Sequence, residues 1–193
     1  MQKLDSKSLM NIIEYEKVRN DYRDKIISYK RDRRVSLGPN VTITFENKKT
    51  LSFQIQEIMR AERLVHDHQI EEEIEVYNSL MPPEKGLSAT LFIEVTEESK
   101  IKTVLNKFIG LTKGNTLYID IDGQKINAVF ETGREAEEQI SSVHYVQFFF
   151  TPEQKEKLIN LKTDIKISIN YNGYEYSEKL SDKFRESISK DFE

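Results

Sequence analysis

The sequence predicts an α+β fold: a helical N-terminal region with a small hairpin, packed on a mainly antiparallel sheet with interleaved short helices. Three observations predict it. Helix-spaced apolar residues dominate positions 1–83, while period-2 alternation with tight-turn dipeptides dominates positions 84–193. The two halves never settle into a strict strand–helix–strand alternation.

Each element follows from its residues. Asp5 or Ser6 caps a first helix over 5–14, with Leu9, Ile12 and Ile13 on its apolar face. A second helical pattern covers 16–32 through Val18, Tyr22, Ile26 or Ile27, and Tyr29. Arg33–Leu37 and the alternating Val41–Phe45 flank Gly38-Pro39-Asn40, a turn signal, and read as a hairpin with half-buried strands. Thr50 caps a helix running to 66, with the stripe Leu51, Ile55, Ile58 and Val65. Another helix spans 68–79 with Ile70, Ile74 and Tyr77 inward, ended by Pro82-Pro83. Leu87–Val95 alternates as a strand, and Lys100–Ile109 is a short helix stopped by Gly110. Thr116–Ile121 pairs with Lys125–Glu131 across Asp122-Gly123, and Ile165–Tyr171 pairs with Tyr174–Leu180 across Asn172-Gly173. Both dipeptides suit a two-residue hairpin turn. Val143–Phe150 is a strand, Pro152 opens a helix to 161, and an amphipathic helix over 182–190 closes the chain. The break at Met81–Gly86 divides a helical lobe, 1–83, from a β-rich lobe, 84–193. Its shortness favours lobes sharing one core.

Composition excludes several chemistries. Cys is absent, so the chain holds no disulfide, Cys-ligated zinc, iron–sulfur cluster or thiol nucleophile of its own. No apolar run approaches the ~20 residues of a membrane span, and the N-terminal MQKLDSKSLMN lacks the apolar core of a signal peptide. A soluble, cytoplasmic protein is expected. Leu, Ile, Val and Phe make up about 28% of the chain, above the ~20% below which disorder is the rule. Charged residues supply 32%, so the core is thin and covered by long charged side chains.

The net charge of −4 hides an asymmetry. Twelve basic and seven acidic residues over 1–50 give +5, and four against eleven over 51–100 give −7. The basic half peaks at Lys30–Arg34, the acidic half at Glu71–Glu73 with Glu75. In a self-neutralising fold, Arg33, Arg34, Arg60 and Arg63 meet carboxylates internally. The alternative is a nucleic-acid-binding module through 30–34, which the overall acidity and the lack of interleaved aromatic residues disfavour.

The chain has no P-loop, no GxGxxG and no GxSxG. Glu62 with His66, and His68 with Glu72, are four apart and on a helix could share a divalent metal. The polar helix segment is more informative. Gln56, Arg60 and Arg63 share one side, and Gln54, Glu57 and Ala61 another, so this helix carries either an internal polar network or a carboxylate or anion site. On the strand at 142–145, Ser142 and His144 share one face while Val143, Tyr145 and Gln147 share the other. His144 reaches the helical patch if that strand packs below it.

Tyr15-Glu16, Arg33-Arg34-Val35, Gly38-Pro39, Phe45-Glu46, Gln54-Ile-Gln-Glu57-Ile-Met-Arg60-x-Glu62, Tyr77-Asn78-x-Leu80-x-Pro82, Ala89-Thr90-Leu91 with Glu94, and Ser142-Val143-His144-Tyr145 occur in that order. Together they resemble the uncharacterised bacterial domain-of-unknown-function family 3501 over most of the chain. The resemblance implies a protein without an established activity, whose genes neighbour those of rubrerythrin-like proteins and iron–sulfur oxidoreductase subunits. It implies an accessory role in redox or peroxide defence, with such a protein as partner. The matching positions define a candidate polar site: Arg34, Gln54, Gln56, Glu57, Arg60, Glu62, Tyr77, Asn78 and His144. No cofactor is expected. A divalent metal is the alternative, in an enzyme built on the Glu/Arg/His cluster.

Overall fold

In the computed structural model, which describes residues 3–133, 135–136 and 139–192, Asp5 caps only a single 3-10 turn, Ser6–Ser8. Met1, Gln2 and Glu193, at the outer ends of the two expected lobes, lie outside the described residues. Asn11 then accepts from the Glu14 N–H at 3.0 Å and starts one long helix, α1 (Ile12–Arg31). The helices expected over 5–14 and 16–32 are thus a turn and a single helix. No Gly or Pro interrupts 12–31, so helix propagation runs through.

The hairpin β1 (Arg34–Leu37) and β2 (Val41–Glu46) forms as expected. A Cβ on Gly38, at φ +74°, would press into the Tyr176 ring, so this turn needs glycine. Asn47, rather than Thr50, caps α2 (Lys48–Glu62); Thr50 is the third helical residue and completes the capping box. The helix stops at Glu62, short of the expected 66, because Arg63 turns left-handed at φ 56°. Then come α3 (Asp67–Ser79), β3 (Gly86–Ile93), α4 (Ile101–Asn106), β4 (Leu117–Ile121) and β5 (Gln124–Asn127). Next are β6 (Val129–Phe130), β7 (Glu135–Ala136), β8 (Gln139–Ile140), β9 (Val143–Phe149) and α5 (Pro152–Ile159). The chain ends with β10 (Ile165–Tyr171), β11 (Tyr174–Lys179) and α6 (Asp182–Ser189).

The fold is α+β, with two main antiparallel sheets. The first has the order β1-β2-β3-β9-β6, and the second the order β11-β10-β4-β5. Strands from both halves of the sequence therefore share the first sheet. The strand expected over 125–131 divides at Ala128, whose N–H donates to Leu117 O at 2.9 Å. Before it, β5 pairs with β4; after it, β6 crosses to β9.

The inner faces of both sheets build one apolar cluster. Ile43, Phe45, Leu91 and Phe148 come from the first sheet, and Ile119, Ile167 and Ile169 from the second. Phe108, Leu158, Phe184 and Ile188 belong to the same cluster. Each large side chain buried there contributes about 1.5–3 kcal/mol. A second cluster joins Leu51, Ile55 and Met59 of α2 to Ile74 and Tyr77 of α3, and touches Tyr145 on the outer face of β9.

The helical layer thus lies over the outer face of the first sheet, and that face is polar. Thr42, Thr44, Glu46, Ser88 and Thr90 are only 2–4% exposed. The Thr-x-Thr-x-Glu alternation of β2 does not mark a solvated side, because both faces of the strand are buried.

Two buried arginines tie the C-terminus down. Arg33 donates to Phe45 O and Ser187 O at 2.9 Å each and pairs with Asp191. Arg185 donates to the carbonyls of Lys157, Leu158 and Asn160 at the end of α5, and to Thr163 O. It supplies donors that the last turn of that helix lacks.

Candidate functional site

The helical half of the expected site is a closed network. Glu57 accepts from Tyr15 Oη at 2.6 Å and from Arg19 Nε and Nη2 at 2.8 and 2.7 Å. The Arg19 guanidinium, with help from the Tyr15 hydroxyl, holds the Glu57 carboxyl below its ordinary range. Burial, reinforced by Glu57, pushes the Tyr15 hydroxyl up. Arg60 Nε bridges both oxygens of Glu16 at 2.9 Å and lowers that carboxyl in turn.

Two amides clasp the N-terminal segment. Gln56 accepts from Met10 N at 2.7 Å and donates to Met10 O at 2.9 Å. Asn78 accepts from Leu4 N at 2.8 Å and donates to Leu4 O at 3.0 Å. Each mimics the donor–acceptor pair of a neighbouring strand and satisfies a backbone outside any ladder. Gln54 donates to Thr50 O of its own helix at 3.4 Å.

The remaining expected residues lie apart. Arg34 pairs with Glu94 at the sheet edge, half-exposed. Glu62 is exposed at the end of α2, and Arg63 is the exposed residue after it. Arg33, Arg34 and Arg60 thus meet carboxylates, while Arg63 stands at the surface. His144 does not join the helical cluster. It is paired with Leu91, so it points into the inner core, where its Nε2 lies 2.8 Å from Ser141 O and its ring meets Phe130 edge-on. Its neighbour Tyr145 faces the helices instead. The break after Glu62 removes the Glu62–His66 spacing from any one helix. The His66 and His68 rings stack at 5.9 Å, and both are exposed. Among the described residues, no group of three or more His, Asp or Glu is placed to hold a metal ion.

The outer sheet face carries a different arrangement. The register places Glu46 opposite Ser88, Ser88 opposite Gln147, and Gln147 opposite Val129, making one row across four strands. The adjacent row runs Thr44, Thr90, Tyr145. Glu46 Oε1 accepts from Thr90 Oγ1 at 3.1 Å and from Lys30 Nζ at 3.3 Å. Oε2 of the same carboxylate is buried and has no hydrogen-bond partner among the described residues. An unsatisfied buried acceptor costs about 1–3 kcal/mol, so this position is set against stability.

Glu46 lines a cavity of about 220 Å³ together with Ser88, Tyr145, Gln147, Val129 and Phe130; Leu80 and Ser79 at the end of α3 complete it, and Glu131 stands on its rim. Tyr77, buried nearby, is pushed up to about 12, first by burial and then by Tyr145, Glu73 and Glu46. Reading the sequence alone misses Glu46 and Gln147, because an alternating polar face is ordinarily a solvated one. The usable signal is that β2 and β3 both place hydroxyl residues at alternate positions beside helices with strong apolar stripes.

The pattern of a family described as "Protein of unknown function (DUF3501)" matches residues 3–192. No curated protein matches the chain. A crystal structure from Burkholderia pseudomallei, described as a novel protein of unknown function, is 25% identical. It aligns over 100% of both chains, with a TM-score of 0.91.

Proposed function

Since this chain belongs to the DUF3501 family of proteins of unknown function, we propose that it is a cytoplasmic, non-enzymatic accessory protein in redox or peroxide defence that docks a rubrerythrin-like or iron–sulfur oxidoreductase partner. The observation that carries this reading is the closure of the Glu57 group. Glu57, Arg60, Gln56 and Asn78 are engaged by Arg19, Tyr15, Glu16 and the N-terminal backbone. A reaction centre needs a base or nucleophile whose lone pair is directed at a substrate, and these groups direct theirs at each other.

Without cysteine the chain contributes no thiol or cluster, so a redox role runs through contact with a partner. The redox setting itself is supported by the family resemblance. The face offered to a partner is α3, where Asp67, Glu71, Glu72 and Glu75 are exposed, no Lys or Arg interrupts them, and Val76 stands 57% exposed among them. Such a face fits a basic rim and speeds encounter electrostatically. Tagged protein drawn from its native host is expected to bring down a rubrerythrin-like or iron–sulfur protein, and an E71K/E72K/E75K variant to lose it. Recovery of neither protein class overturns the reading, and undiminished capture by the triple variant overturns the assigned face.

A further inference from the structure

We propose that the cavity under the end of α3 binds a small protonated amine, with the ammonium on the Glu46 carboxylate that lines it. Glu46 is 2% exposed, and the oxygen not bonded to Lys30 and Thr90 has no partner among the described residues. A buried acceptor of this kind calls for a donor, and a charged donor makes the stronger bond.

The cavity supplies the room. Its volume of about 220 Å³ corresponds to roughly seven waters at about 30 Å³ each, or a ligand with about that many non-hydrogen atoms.

Charge selects a cation. Among the described residues Lys30 reaches only Oε1 of the carboxylate. The walls select an aliphatic body, because Leu80 and Val129 line the same space, with the Gln147 amide as a polar anchor. A bare divalent ion fits poorly. Hard cations take six or more oxygens, and among the described residues no cluster of three metal-ligating side chains exists. The proposal does not rest on the redox reading.

Calorimetric titration of the full chain with butylammonium chloride, 1-butanol and magnesium chloride tests the assignment. Butylammonium is expected to bind one to one, at least tenfold tighter than 1-butanol, with no magnesium binding. Glu46→Gln is expected to weaken the amine at least tenfold. Val129→Trp, which fills the mouth from a position already 54% exposed, is expected to weaken it as well, with both variants folded by circular dichroism. Absence of amine binding, equal binding of the alcohol, binding of magnesium in place of the amine, or undiminished binding by Glu46→Gln each overturns the proposal.

Discussion

Glu46 and Glu57 are eleven residues apart, on the strand that leads into α2 and on α2 itself, yet their surroundings are opposite. Glu57 has a bidentate guanidinium and a phenol on its two oxygens. Glu46 is more deeply buried beside a cavity, and one of its oxygens has no hydrogen-bond partner among the described residues. A carboxylate satisfied from all sides holds a fold together. A buried one left half-satisfied costs stability, and the proposed amine would supply the donor it lacks.

Asp191 is the extreme of the closed kind. It pairs with Arg33 and accepts from Asn47 Nδ2 at 2.8 Å. Burial still raises its carboxyl above the ordinary 3.8, outweighing both partners. The pair is therefore not a large net gain, but removing one member strands the other. Asp191→Ala leaves the Arg33 guanidinium buried and uncompensated, and is expected to cost about 3–5 kcal/mol, read as a fall in the urea midpoint. A loss below about 1 kcal/mol would show that the C-terminal turn moves to let water reach Arg33.

Glu57→Gln comes next. It removes the charge from three hydrogen bonds in a partly exposed setting, for an expected loss of about 2 kcal/mol at neutral pH. The pH dependence separates it from Asp191. The folded-state value of Glu57 lies below the ordinary 4.5, so its contribution is present above that value and lost as pH falls through the folded one. For Asp191 the folded value is raised, so its contribution is greatest below 3.8 and declines as pH rises through the folded value. Urea midpoints measured from pH 7 to pH 3 should fall less steeply for Glu57→Gln than for the wild type. Parallel curves would show that Glu57 is not the group being titrated.

A smaller effect is expected at the amide clasps. Gln56→Ala should cost about 1 kcal/mol and speed hydrogen exchange at the Met10 amide, while exchange in the β3 core stays slow. Uniform acceleration would mean that the N-terminal segment is part of the global folding unit.

How far the sequence reveals all this follows from which forces are local. Both Asx-Gly hairpins and the Pro152 helix start are legible because turn and cap chemistry acts within four residues. The long pattern from Gln54 to Pro82 is legible as a pattern, but its purpose is not. Gln56 and Asn78 are there to hold Met10 and Leu4, 46 and 74 residues away. The basic run at 30–34 looks like a surface patch and is partly an internal fastening, because Lys30, Arg33 and Arg34 meet Glu46, Asp191 and Glu94 only in the fold. The division of the strand at Ala128 and the burial of Arg185 leave no local mark, since both depend on which sheet or helix end lies nearby. His144 turns on strand parity: Tyr145, one residue on, faces the helices.

The contrast between the two carboxylates is tested most directly by measuring the urea midpoints of Glu46→Gln and Glu57→Gln side by side at pH 7. The prediction is a clear fall for Glu57→Gln. Glu46→Gln should stay within about 1 kcal/mol of the wild type, because the lost Lys30 pair is offset by removal of a buried, half-satisfied charge. A fall for Glu46→Gln as large as that for Glu57→Gln would show that Glu46 is one more structural fastening, and would contradict the distinction between the closed network and the open site.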